Sequence, residues 1–262
     1  MYGIDAHLHL DQYDKAAQEQ IISELSEHKI KGVVTVSMNL GSCMNTYQLA
    51  EANPGKIYPA FGFHPEQPLP SEKDIDLLFQ WIFKHQEIMV AIGEVGLPYY
   101  ERTKAEEENR QFELAPYIHL LEKFILLAKE INKPIVLHSV YEDAVSTCEL
   151  LEKHRIKKAH FHWYKGSAST TKRLMNNGYF ISITPDVFYE KDIQELVKKY
   201  PLEQMMVETD GPWPFEGPFA HKMTHPKIIH EVISKIAEIK NLPLKTSYER
   251  IMENTIQFYD LK

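Results

Sequence analysis

Short apolar, β-prone runs alternate along this chain with longer stretches in which apolar residues recur every three or four positions. Eight runs fit strands: Tyr2–His9, Gly32–Met38, Ile57–Phe63, Ile88–Glu94, Pro134–His138, Lys158–His162, Tyr179–Ile183 and Met205–Asp210. Amphipathic helices fill the spaces between them. The clearest carries Tyr117, Leu120, Leu121, Phe124, Leu127 and Ile131 as one i, i+3, i+4, i+7 stripe. A second uses Ile75, Leu78, Phe79 and Ile82, and its opening Ser71-Glu72-Lys73-Asp74 resembles a capping box. A third holds Ile228, Ile229, Val232, Ile233 and Ile236 on one face, and a last helix near Ser247–Tyr259 closes the chain. Pro116 splits the pattern between Glu106 and Ile131, so the segment before it is expected to be a separate helical turn or loop excursion. Strands alternating with helices predict parallel α/β units. Eight of them in 262 residues predict a single (β/α)8 TIM-barrel domain spanning 1–262. No repeat, low-complexity tract or linker-like shift divides it.

Composition narrows the classes of function. With 44% hydrophobic and 25% charged residues the chain is globular in type. Its 29 Lys+Arg against 37 Asp+Glu leave a net charge of -8, which opposes attraction to a polyanion or an anionic membrane and excludes a sequence-blind DNA-coating protein. Cys43 and Cys148 form neither a disulfide framework nor a C-x-x-C pair, and both are expected as small core residues. The opening Met1-Tyr2-Gly3-Ile4-Asp5 lacks a basic and apolar leader, and no apolar stretch is long enough to span a membrane. A cytoplasmic protein is expected.

Candidate chemistry gathers at strand ends. On a strand the period of two places His7 and His9 on one face, with Asp5 joining them, so two neutral imidazoles can share one divalent cation. Glu94, His138, His162 and Asp210 each close an apolar run. In a barrel the C-terminal strand ends converge on one face, where residues remote in sequence meet. His138 to His162 spans 24 residues and His162 to Asp210 spans 48, one and two βα units. Any one of these side chains could be a strand-end cap or a satisfied core group, but six with this rhythm point to a site. His160 shares a strand face with His162 and is expected one layer deeper as a buried neutral imidazole. His221 and His225 fall in the long loop after the eighth strand and are expected to be solvated. His28, His85, His119, His154 and His230 sit on helix patterns and are expected to be structural.

The runs Ile4-Asp5-Ala6-His7-Leu8-His9, Gly62-Phe63-His64-Pro65, Ile92-Gly93-Glu94-Val95-Gly96-Leu97, Ile135-Val136-Leu137-His138-Ser139, Phe161-His162 with Gly166-Ser167, and Glu208-Thr209-Asp210-Gly211-Pro212 together resemble the TatD family of metal-dependent deoxyribonucleases, of the amidohydrolase-like superfamily. The late Glu253-Asn254-Thr255 also resembles that family's C-terminal helix. The resemblance implies a metallo-dependent hydrolase barrel with two divalent ions: His7, His9 and Asp210 on one, His138 and His162 on the other, and Glu94 bridging. It also implies Asp210 as general base, His64 near the substrate, and Asp5 fixing a histidine from behind the ligands. Imidazole and carboxylate ligands suit zinc, manganese, cobalt or nickel, with magnesium less comfortable.

Three departures from the family bear on substrate. Pro98 stands where an aspartate is usual, Val140-Tyr141 follow Ser139 where an arginine is usual, and Trp163-Tyr164-Lys165 replace small and apolar residues. Arg102, Lys165 and Lys222 are candidate phosphate partners, while Trp163, Tyr164, Trp213 and Phe215 are candidates for an aromatic wall on which a base stacks. The expected substrate is a DNA end, a short oligonucleotide or a small phosphoester, with no obligate protein partner legible. The alternatives are an amide or lactone hydrolase of the same superfamily, against which Glu94 in place of a carboxylated lysine weighs, and a metal-binding protein that has lost activity.

Overall fold

A computed structural model describes residues 1–262. In chain order the elements are β1 (Gly3–Leu8), α1 (Lys15–Glu24), β2 (Ile30–Val36), α2 (Leu40–Ala52), β3 (Ile57–Phe61), α3 (Glu72–Lys84), β4 (Ala91–Gly96), α4 (Tyr99–Glu107) and α5 (Ala115–Glu130). They continue with β5 (Ile135–His138), α6 (Asp143–Lys153), β6 (Ala159–Phe161), α7 (Ala168–Asn177), β7 (Phe180–Ile183), α8 (Lys191–Lys199), β8 (Met205–Val207), α9 (Ile229–Lys240) and α10 (Leu244–Tyr259). The strands pair in parallel in sequence order from β1 to β8. Backbone bonds from Asp210 N to His7 O (3.0 Å) and from His9 N to Gly211 O (2.8 Å) join the last unit to the first, so the sheet curls into the expected barrel.

Apolar faces explain the assembly. β1, β4, β5, β6 and β8 are buried at every residue, as strands covered on both sides must be. A core of 54 buried residues includes Phe61, Ile92, Ile135, Leu137 and Phe161 from the strands and Leu121, Phe124 and Ile125 from α5. A smaller core of nine joins Ala6, Val34, Ala60, Ala91, Val136 and Met206 to Phe258 and Tyr259 at the end of α10. Cys43 and Cys148 are both fully buried, unpaired thiols. α3 begins as its sequence suggests, with Ser71 Oγ accepting the Asp74 amide at 3.3 Å. The stretch before Pro116 is a helix of its own, α4.

Every strand differs from the apolar pattern by one to three residues at one end or both, and the differences at β4 and β8 shape the site. β4 starts at Ala91 rather than Ile88 and runs on to Gly96, because β3 supplies a partner only from Ala60 opposite Ala91, and β5 supplies them up to His138 opposite Gly96. Glu94 therefore lies inside the strand, between Ala91 and Ile92, which pair with β3, and Val95 and Gly96, which pair with β5. Gly96 permits this pairing, since a Cβ there would collide with the His138 carbonyl. β8 ends at Val207, and Glu208, Thr209 and Asp210 leave the ladder to meet β1.

Candidate metal centre

The Glu94 carboxylate sits at the middle of the converging strand ends, and its two oxygens face different partners. Oε2 lies 3.1 Å from His7 Nε2 and 3.1 Å from His9 Nε2. Oε1 lies 2.8 Å from His138 Nδ1 and 2.6 Å from His162 Nε2. Asp210 Oδ1 completes the first group at 3.2 Å from His7 Nε2 and 3.5 Å from His9 Nε2. All six side chains are buried, so the structure brings together every residue the strand-end pattern singles out.

This cluster leaves donor atoms without hydrogen-bond partners. His7 Nε2, Glu94 Oε2 and Asp210 Oδ1 point at one another, are fully covered, and form no hydrogen bond. Orphaned buried polar atoms are costly, and a group of them facing a common point marks a place for an ion. Ligands held about 2.1 Å from one cation at octahedral to tetrahedral angles lie roughly 3.0 to 3.4 Å apart, close to the spacings found here. His7, His9 and Asp210 form one triad that could hold an ion.

The electrostatics lead to the same conclusion. Burial pushes the Glu94 carboxyl up, but the surrounding imidazoles of His162, His64 and His7 outweigh it and hold Glu94 well below the usual carboxylate range. Burial and neighbouring His162 disfavour a proton on His7, yet Glu94 and Asp210 raise it to about 9. His162, buried beside Glu94 and Glu208, is likewise held well above an ordinary imidazole. Without a cation the carboxylates are balanced by protons on histidine, and a divalent ion would take over that charge.

Surrounding residues hold the centre in place. The family resemblance implies that Asp5 fixes a histidine ring, but its carboxylate instead accepts the backbone amides of His7 (3.2 Å) and Thr209 (3.1 Å) and the Thr209 hydroxyl. It ties β1 to the segment after β8, and so His7 to Asp210, with its own carboxyl pushed up to about 7 by burial. His64 Nδ1 accepts the Glu66 amide at 3.2 Å, which leaves the proton of the neutral ring on Nε2, 3.3 Å from Glu94 Oε1. His64 is therefore a donor aimed into the centre. Asp210 and Trp163 adopt left-handed backbone angles, φ 47° and 39°, tight turns that bring both side chains to the site.

Two further carboxylates at the site escape the sequence pattern. Glu208 is fully buried, accepts the Trp163 amide at 2.7 Å and faces His162 Nδ1 at 3.6 Å; the Glu208-Thr209-Asp210 run contains it but gives it no role. Glu66 accepts the amides of Tyr100 (2.9 Å) and Glu101 (2.7 Å) at the start of α4 and faces His138 Nε2 at 3.2 Å. Its only signal in the sequence is its place two residues after His64. It stands in for the helix-capping acid that Pro98 cannot supply.

Above the centre opens a cavity of about 460 Å³. His9, His64, His138, His162 and Asp210 line it, and Met38, Val140, Tyr100, Trp163 and Trp213 are its apolar and aromatic lining. Trp213 thus stands at the opening. Lys165 does not: its amine binds Glu190 at 2.9 Å and lines a separate cavity with residues of α7 and α8. Tyr164 is buried away from the opening, and Phe215 packs behind Trp163. His160 is the buried neutral ring expected, between Tyr259 Oη (2.8 Å) and Ser182 Oγ (2.6 Å). His225 departs from the expectation of a solvated loop residue and is buried; its Nδ1 accepts the Lys227 amide at 3.0 Å, so its remaining proton faces Glu24 across 3.4 Å.

Comparison with known proteins agrees with this geometry. The family model described as TatD related DNase matches residues 4–260. The chain belongs to that family. A TatD-family relative from Haemophilus influenzae, named an uncharacterized metal-dependent hydrolase, is 42% identical over 257 residues, covering 98% of this chain and 99% of the relative. A Homo sapiens relative named deoxyribonuclease TATDN3 is 29% identical, covering 98% of this chain and 94% of its own. The crystal structure of YJJV, a TatD homologue from Escherichia coli, superposes with a TM-score of 0.84 at 22% identity, covering 99% of this chain and 98% of that one, and shares its fold. The protein is thus a metal-dependent hydrolase of the TatD family. No helix is long and apolar enough to cross a membrane.

Proposed function

We propose that this TatD-family hydrolase cleaves phosphoester bonds, as a deoxyribonuclease-like phosphodiesterase, with two divalent ions. His7, His9 and Asp210 would hold one, His138 and His162 the other, and Glu94 both. The observation that carries this reading is the division of Glu94: Oε2 faces His7 and His9, while Oε1 faces His138 and His162. Four imidazoles favour zinc, manganese, cobalt or nickel over magnesium. When bound, such a pair of cations supplies Lewis-acid polarisation of a phosphoryl oxygen and acidifies water.

The chain's own groups do the rest. Asp210, kept charged by His7 beside it, would take the proton of the attacking water. His64 offers its Nε2–H to a phosphoryl oxygen, and Trp213 offers a face on which a base or other aromatic group can stack. The substrate would be a DNA end, a short oligonucleotide or a small phosphoester, a reading supported by the deoxyribonuclease name of the Homo sapiens relative. Buried, unpaired Cys43 and Cys148 accord with a reducing cytoplasm. The test is elemental analysis together with a panel of phosphodiester and lactone substrates. Two ions per chain and phosphodiester turnover are expected. Lactone turnover alone, or a single ion in the fully active enzyme, overturns the reading.

A further inference from the structure

A hydrolase that follows a nucleic-acid strand needs cations beside its cleavage site to meet the phosphates on either side. Here each of the three candidate cations is already engaged elsewhere. Arg102 lies on α4, yet its guanidinium turns away to Asp143 at 2.7 Å and Glu142 at 3.2 Å. Lys165 is held by Glu190 at 2.9 Å and lies 3.5 Å from Asp186. Lys222 donates to the Pro218 carbonyl at 2.7 Å. None of the three lines the cavity over Glu94.

The charges that do line it are acidic. Apart from Asp210 at the centre, the charged side chains facing the cavity are Glu66 and Glu101. Glu66 is immobilised: two amides at the start of α4 and His138 hold its oxygens. Neighbouring phosphates of a strand would meet these carboxylates, while one phosphoryl group over Glu94 would be neutralised by the ions held there.

The remaining walls suit a single flat or apolar group. Trp163 is fixed by its Nε1–H on Asp186 Oδ2 at 2.6 Å, whereas Trp213 and Tyr100 are 53% and 50% exposed and free to close on a ring. A cavity of about 460 Å³ lies in the range of small-molecule pockets, about 300 to 1,000 Å³.

From these observations we propose that the site takes a mononucleotide-sized phosphoester, with one phosphoryl group and one aromatic or apolar ester group, and that Glu66 and Glu101 exclude a polynucleotide. The proposal rests on the phosphoester reading above and narrows its substrate. The reaction is hydrolysis: water adds to phosphorus, the bond to the ester oxygen breaks, and the alcohol departs with a proton. No further reactant is required.

The test compares kcat/KM of the manganese-loaded enzyme, read as p-nitrophenol release, for the p-nitrophenyl ester of thymidine 5'-monophosphate and for a single-stranded oligonucleotide of about twenty nucleotides carrying the same p-nitrophenyl ester on its 5'-phosphate, across a salt series. The small ester should be favoured by at least roughly tenfold, and oligonucleotide cleavage should hold steady or rise as salt screens the acidic opening. Glu101→Lys should raise the oligonucleotide-to-ester ratio by roughly tenfold at low salt, the scale expected when one lysine meets one phosphate. Equal or preferred oligonucleotide cleavage that falls steeply with salt would overturn the proposal while leaving the phosphoester reading intact. An unchanged ratio in Glu101→Lys would equally overturn it. Turnover of lactones without any phosphoester would overturn that reading and this one together.

Discussion

His160 lies in β6 and His162 directly follows that strand; both are buried, and their side chains share a face of the barrel. His162 lies among carboxylates, with Glu94 at 2.6 Å and Glu208 at 3.6 Å, and holds a proton well above the ordinary range. His160 lies one layer deeper between the hydroxyls of Tyr259 and Ser182, and burial keeps it neutral far below that range. The upper layer leaves donors unpaired around a common point, whereas the lower layer pairs both ring nitrogens. A histidine in this barrel becomes a ligand or a strut according to what faces it. Reactive character belongs to the layer built on Glu94.

The sharpest way to break this contrast is to remove the charge that sets it. Glu94→Gln should cost double metal occupancy and lower turnover by roughly 10⁴-fold, since the group shared by both halves of the centre is lost. Elemental analysis showing two ions in that variant would contradict the bridge. Asp210→Asn should lower turnover by about 10² to 10⁴-fold while leaving the fold and much of the metal. Recovery to near the normal rate at saturating metal would show that Asp210 is a ligand only.

Changes in the lower layer should act on stability alone. His160→Ala leaves Tyr259 and Ser182 without a partner and opens a cavity, so the cost should be about 3 kcal/mol by denaturant unfolding with metal content unchanged. A loss of metal in that variant would mean the two layers are not separable. His225 extends the comparison to a buried ring outside the barrel, pushed down to about 4 by burial and Lys227. Its folded pKa lies below the unfolded value of 6.5, so the unfolded chain binds the extra proton between those values. Stability should therefore fall by roughly 2 kcal/mol as pH drops from 7 to 5. His225→Gln should flatten that slope, and an unchanged slope would place the titration elsewhere.

Much of this architecture is readable in order along the chain. Strand existence follows from apolar runs, but strand ends do not, because β4 begins and stops where β3 and β5 offer partners. The pairing of His7 with His9 needs only the two-residue period. The role of Asp5 depends on Thr209, 204 residues away, which redirects it from a ring to a backbone. Lys165 looks available to a phosphate until folding places Glu190 and Asp186 beside it. Glu66 escapes notice because a carboxylate in a loop has no periodicity to mark it.

Spacing and composition alone specify the eight βα units, the strands in or just after which the four imidazoles and two carboxylates fall, and the acidic balance of the chain. These properties are local or additive, so a linear string of residues carries them. Folding settles the rest: which oxygen of Glu94 faces which histidines, which cations are already paired, and that Glu66 and Glu101 guard the opening. Those outcomes depend on distances between segments far apart in the chain, and such distances are fixed only when the barrel closes and every buried charge must find a partner.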